Sequence, residues 1–75
     1  MATKSHEFEV VLQPEAEGGF SVSVPALPGC HTQGETREEA IAMARDAIEG
    51  YLKVLADEGR PLPQPALIER ITVAA

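Results

Sequence analysis

The sequence predicts an α+β domain in which a small antiparallel sheet of three to four strands is packed by one long helix, in the order β-β-β-α-β. Three features predict it. Two short N-terminal stretches alternate apolar and polar residues with the period of a half-buried strand. A run of 3.6-residue periodicity follows behind a capping signal, and a last apolar stretch lies beyond a proline-rich connector. At 75 residues and 44% hydrophobic content the chain has material for one core, so residues 1–75 are read as a single domain.

From Glu7 to Gln13, Phe8, Val10 and Leu12 fall on one side and Glu7, Glu9 and Val11 on the other, which predicts the first strand. Pro14, Gly18 and Gly19 bracket a turn, and Phe20 to Val24 alternates again, completing a hairpin. Pro25 has no N–H for a ladder, so it ends the second strand or marks an edge. Leu27-Pro28-Gly29-Cys30 places Pro and Gly at the two central positions of a type II turn, and Cys30 to Gln33 is long enough for a short third strand.

Thr36-Arg37-Glu38-Glu39 matches a capping box, in which the Thr hydroxyl and the Glu carboxylate satisfy each other's free backbone N–H groups. Gly59 and Pro61 supply the stop, so the helix spans about 22 residues, roughly 33 Å. At about 100° per residue its apolar residues fill one half of the cylinder, with Met43 and Val54 at one border, Tyr51 and Ala44 near the centre, and Ile41 and Leu52 at the other. Glu38, Arg45, Asp46, Glu49 and Lys53 lie opposite. An arc of about 180° exceeds the roughly 100° that resting on a sheet requires, so its borders meet either the flanking loops or another subunit. Met43, Tyr51 and Leu52 are the candidate oligomer-interface residues. Gly50, at the border of the arc, either admits a neighbouring backbone or is a plain surface position. Pro61 to Pro65 is a stiff connector, and Leu67 to Val73 is the last expected strand, with Glu69 interrupting one face.

A single core of this size supplies only about 3 to 5 kcal/mol, so small domains usually recruit disulfides, a metal or another chain. Cys30 is the sole cysteine, which leaves association. Twelve acidic residues against six basic ones, a net charge of −6, argue against gripping phosphates and suit either steering toward a basic protein or simple solubility. Arg37, Arg45 and Lys53 rotate about 80° at each eight-residue step and form no basic stripe. Cys30 and His31 are adjacent and so point to opposite faces of an extended segment, which prevents a nucleophile and base pair. His6 and His31 have no second ligand at metal spacing. Glu7 and Glu9 share a face, but a two-metal site needs further acids. Gly18-Gly19 lacks the lysine and helix of a phosphate loop. No catalytic, cofactor or metal site is therefore expected. Met1 to His6 lacks a signal-peptide core and no apolar run approaches the roughly 20 residues of a membrane span, which predicts a cytoplasmic protein.

The stretch from Phe20 to Ala40, FSVSVPALPGCHTQGETREEA, together with Gly59-Arg60-Pro61-Leu62-Pro63, resembles the N-terminal domain of HicB-like antitoxins. The resemblance implies a trimmed RNase H-like fold without RNase H activity, in agreement with the element order above. It also implies neutralisation of HicA, a small basic mRNA-cleaving toxin, by covering its active surface. Many members of the family continue into a DNA-binding domain; a chain ending at Ala75 has no room for one, so no direct DNA binding is expected. Pro25, Leu27, Pro28 and Cys30 have structural explanations as a strand end and a turn, and are also the candidate partner-contact residues. The resulting expectation is a non-enzymatic antitoxin-like binding module, a homodimer or homotetramer, with a basic HicA-type toxin as partner. The alternative is a stand-alone oligomeric scaffold or ligand-binding domain without a toxin.

Overall fold

The structure is a computed structural model that describes residues 6–64 and 66–75. Met1 to Ser5, within the stretch read above as lacking a signal-peptide core, and Pro65 of the connector lie outside the described residues. Three strands, β1 (Val11–Pro14), β2 (Phe20–Ser23) and β3 (His31–Gly34), form an antiparallel meander in the order β1-β2-β3, and one helix, α1 (Arg37–Asp57), packs across it. This is the α+β arrangement the patterning predicts.

The first strand is shorter than its alternation suggests. Its ladder pairs Val11 with Ser23 and Leu12 with Val22. The next bond from β2 toward β1 would come from the N–H of residue 25, because alternate residues of a strand face alternate neighbours. Position 25 is proline, so the ladder ends at Val11. Phe8 and Val10 nevertheless keep their expected orientation, half-buried and packed on the core. On the other side of β2, Val24 still donates to the Cys30 carbonyl at 3.2 Å, and the third strand begins one residue later than expected, at His31.

Local signals set both helix ends. Thr36, extended at φ −124°, accepts from the Glu39 N–H through its hydroxyl at 3.1 Å. The Glu39 carboxylate accepts from the N–H of Glu35, not of Thr36, so the reciprocal half of the capping box is displaced by one residue. At the C-terminus Gly59 adopts φ +68°, its N–H donates to Ala56 O, and Arg60 N–H donates to Leu55 O, which is the Schellman closure.

The helix lies on the sheet through small residues. Ala40 and Ala44 are buried against Val22, with Val10, Leu12 and Phe20 around them. A Cβ built on Gly34 would stand 2.6 Å from Ala40 Cα and 2.9 Å from the Glu39 carbonyl carbon, closer than any Cβ sits to backbone. Glycine at the end of β3 thus sets how near the helix comes. A second cluster, Val24, Leu27 and Cys30 with Ala47, Ile48, Tyr51 and Leu52 packed on it, closes the other end.

The fourth strand is not formed within the chain. Residues 66–75 make no ladder pairing, and Leu67, Ile71 and Val73 are 91%, 81% and 77% exposed. Alternation marks a segment that fits a pleated surface, but a strand exists only where an edge receives it, and among the described residues this tail pairs with none. The radius of gyration, 14.5 Å against roughly 11 Å for a compact chain of this length, reflects the unpacked tail.

Candidate interaction surfaces

The loop between β2 and β3 is two turns in succession. Leu27 N–H donates to Val24 O at 2.9 Å and Cys30 N–H donates to Leu27 O at 3.0 Å, with Gly29 at φ +79° as a type II turn demands. This winding sends Leu27 and Cys30 inward, where both are buried, and leaves Pro25 and Pro28 outside. Of the four candidate contact residues, the two prolines alone are on the surface. Burial pushes the Cys30 thiol above its ordinary value, as befits a side chain that packs as a small hydrophobe. Tyr51 reaches over from the helix and donates its hydroxyl to the Pro28 carbonyl at 3.0 Å, fastening the loop to α1.

The three candidate interface residues are not equivalent. Tyr51 is half-buried and committed to the loop. Met43 and, near it around the helix, Val54 are exposed at one border of the arc, 41% and 50% respectively. Leu52 sits at the opposite border, in an apolar groove of about 410 Å³ that it shares with Phe8, Val10, Ile41 and Ile48, with Arg45 also lining it. The loop Ala26–Cys30 covers the middle of the arc, whereas Leu62 and Leu67 remain exposed. The surplus apolar surface expected from the arc is therefore exposed at its Met43 and Val54 edge and partly buried at its Ile41 and Leu52 edge. Nothing lies within 4 Å of a Cβ at Gly50, so within one chain that position is open.

A further surface escapes sequence reasoning. The β1–β2 turn and the start of α1 enclose a cleft of about 670 Å³ that includes Glu15, Glu17, Glu35 and Glu39, with Met43 at its rim. These acids are scattered in the chain and line one cleft because the meander brings the hairpin turn beside the strand-to-helix connection. Glu38 and Glu39 also occupy the first helical turn, where the backbone partial charge favours carboxylates. The usable sequence signal was Gly34 followed by Glu35: a glycine at a strand end announces a close approach, here of the helix start.

Arg37, Arg45 and Lys53 are exposed and separate, as their spacing requires. His6, His31, Glu7 and Glu9 are exposed, and among the described residues no three His, Cys, Asp or Glu side chains converge to hold a metal ion. No helix among them is long and apolar enough to cross a membrane.

Comparison with known proteins gives the lineage. Residues 8–75 match the model of the HicB-like antitoxin of bacterial toxin–antitoxin systems. The chain belongs to the HicB-like antitoxin family. A UPF0150 protein of Synechocystis is 43% identical over 84% of this chain and 80% of its own length, and a UPF0150 protein of Thermoplasma acidophilum is 38% identical over 92% and 99%. Antitoxin HicB 1 of Photorhabdus laumondii is 40% identical over 83% of this chain. That alignment spans 40% of the antitoxin's length, so this HicB-like domain corresponds to well under half of it.

Proposed function

We propose that this HicB-like domain is a non-enzymatic binding module of the cytoplasm that neutralises a small basic mRNA-cleaving toxin of HicA type by covering its active surface, and that it acts as a homodimer or homotetramer. The observation that carries this reading is the carboxylate-lined cleft between the hairpin turn and the helix start, in a chain of net charge −6. Carboxylates lining a concave, partly apolar surface attract a cationic protein over a Debye length of about 8 to 10 Å and accept hydrogen bonds from its Arg and Lys side chains. Pro25 and Pro28, held out by the clamped loop, offer a second rigid contact.

The test is to co-express the domain with the small basic protein encoded beside it. Copurification at low salt that weakens as salt is raised, together with loss of RNA cleavage by the basic protein, is the expected result. Failure to copurify with cleavage unchanged removes the antitoxin role. A second reading, a stand-alone oligomeric domain with no toxin, draws support from the near full-length alignment with short UPF0150 proteins. Absence of a small basic neighbouring gene favours it.

A further inference from the structure

Two surfaces of this chain are unmet, and they are complementary. One is the tail: Leu67, Ile71 and Val73 share one side of an extended segment, with Glu69 among them, and these apolar side chains stand almost wholly in water. The other is the outer edge of β1, which among the described residues pairs with β2 on one side only. Beside that edge lies the apolar groove of Phe8, Val10, Ile41, Ile48 and Leu52. Arg45 lines the groove together with His6 and Glu49, and makes no ion pair among the described residues.

We infer that residues Leu67–Val73 form the missing strand on a second copy of this chain, each tail adding to the β1 edge of its partner and laying Leu67, Ile71 and Val73 into the partner's groove. The match is one of pattern and charge. A strand edge supplies the backbone partners that the tail lacks. The groove takes the apolar face, and Arg45, which lines the groove with Glu49, is the cation there for Glu69, the one acid on that face. A strand pairing tucked against α1 also buries the Ile41 and Leu52 border that a single chain leaves half-exposed.

The exchange is reciprocal, so a two-fold dimer counts every contact twice. At the roughly 60 to 120 Å² implied for each apolar side chain, three tail residues from each copy and the groove residues they meet remove about 700 to 1,500 Å² from water, an area whose upper part reaches the roughly 1,200 to 2,000 Å² of stable interfaces. The stiffness of Pro61 and Pro63 favours a tail projecting outward over one doubling back on its own sheet. This inference rests on the dimer reading above and is independent of any toxin.

The test is sedimentation equilibrium on the full chain and on Ile71→Asp, with amide hydrogen exchange on Leu67–Val73 across a range of protein concentrations. Expected are a wild-type dimer, tail protection that rises with concentration, and a dimer about a hundredfold or more weaker in Ile71→Asp with unchanged helical circular dichroism. Glu69→Arg should weaken the dimer, and combining it with Arg45→Glu should restore it. A wild-type dimer that survives Ile71→Asp overturns the exchange while leaving dimerisation standing; a wild-type monomer at every concentration removes both. Tail protection independent of concentration, or present only after a basic protein is added, assigns the segment to its own sheet or to that protein and also overturns the exchange.

Discussion

Adding one methyl group at Gly34 should loosen the whole domain. The alanine Cβ would meet the backbone of Glu39 and Ala40, at 2.9 Å from a carbonyl carbon and 2.6 Å from a Cα, where ordinary contact begins near 3.4 Å. None of these atoms is the flexible end of a side chain, so the first turn of α1 must retreat by about 1 Å. Ala40, fully buried beneath it, then loses its contact with Val22. Overpacking of this kind costs about 1 to 3 kcal/mol, partly offset by the 0.4 to 1 kcal/mol that alanine removes from the unfolded chain's entropy. A net loss of about 1 to 2 kcal/mol is large beside the roughly 3 to 5 kcal/mol that a single core of this size supplies. Urea unfolding followed at 222 nm, at fixed protein concentration, should show the midpoint fall by about 1 M with little change in slope. Gly50→Ala is the internal control, since nothing lies near that Cβ and the helix gains about 1 kcal/mol from the same substitution. Opposite signs at the two glycines are expected. A Gly34→Ala protein as stable as the wild type would refute a backbone-limited helix–sheet distance.

Removing the Tyr51 hydroxyl in Tyr51→Phe should cost about 0.5 to 1 kcal/mol in thermal or urea unfolding, because the Pro28 carbonyl it serves can turn to water. Faster amide exchange should be confined to residues 25–30. Thr36→Ala deletes the hydroxyl that accepts from Glu39 N–H and should cost about 1 kcal/mol, read as frayed helicity at residues 37–39 by NMR. Cys30 gives an alkaline signature. Its folded thiol holds a proton more tightly than the unfolded thiol with its ordinary value of 9.0, so its contribution is complete below pH 9 and declines as pH rises past it. The melting-temperature gap between wild type and Cys30→Ala should therefore narrow between pH 8 and pH 10.5; a constant gap would contradict the burial of the thiol.

What the sequence disclosed and what it concealed divide along distance in the chain. The Thr36 cap, the Gly59 closure and the type II turn at Pro28-Gly29 each depend on groups within six residues of one another, and each is present. Alternation correctly assigned Phe8, Val10 and Leu12 to the inner face, since side-chain direction is fixed by the backbone alone. The length of the first strand was not legible in its own residues, because it is decided by Pro25 on the neighbouring strand. The last strand was misplaced for a related reason: Leu67 to Val73 has the pattern but not the edge. Leu27 and Cys30 looked like contact residues until the double turn rolled them inward. That Glu15, Glu17, Glu35 and Glu39 line one cleft follows from topology and leaves no trace in local spacing.

Pro25 has an effect well beyond its own position. By withholding one hydrogen from the neighbouring strand, it leaves His6 to Val10 anchored through the greasy side chains of Phe8 and Val10 and not through a backbone lattice. Such a strip can lift like the loose end of a tape while the meander behind it stays shut, so breathing of this small fold should begin there. The soft margin borders a hollow that Phe8 and Ala66 both line, giving the domain a seam that opens at little expense to the remainder.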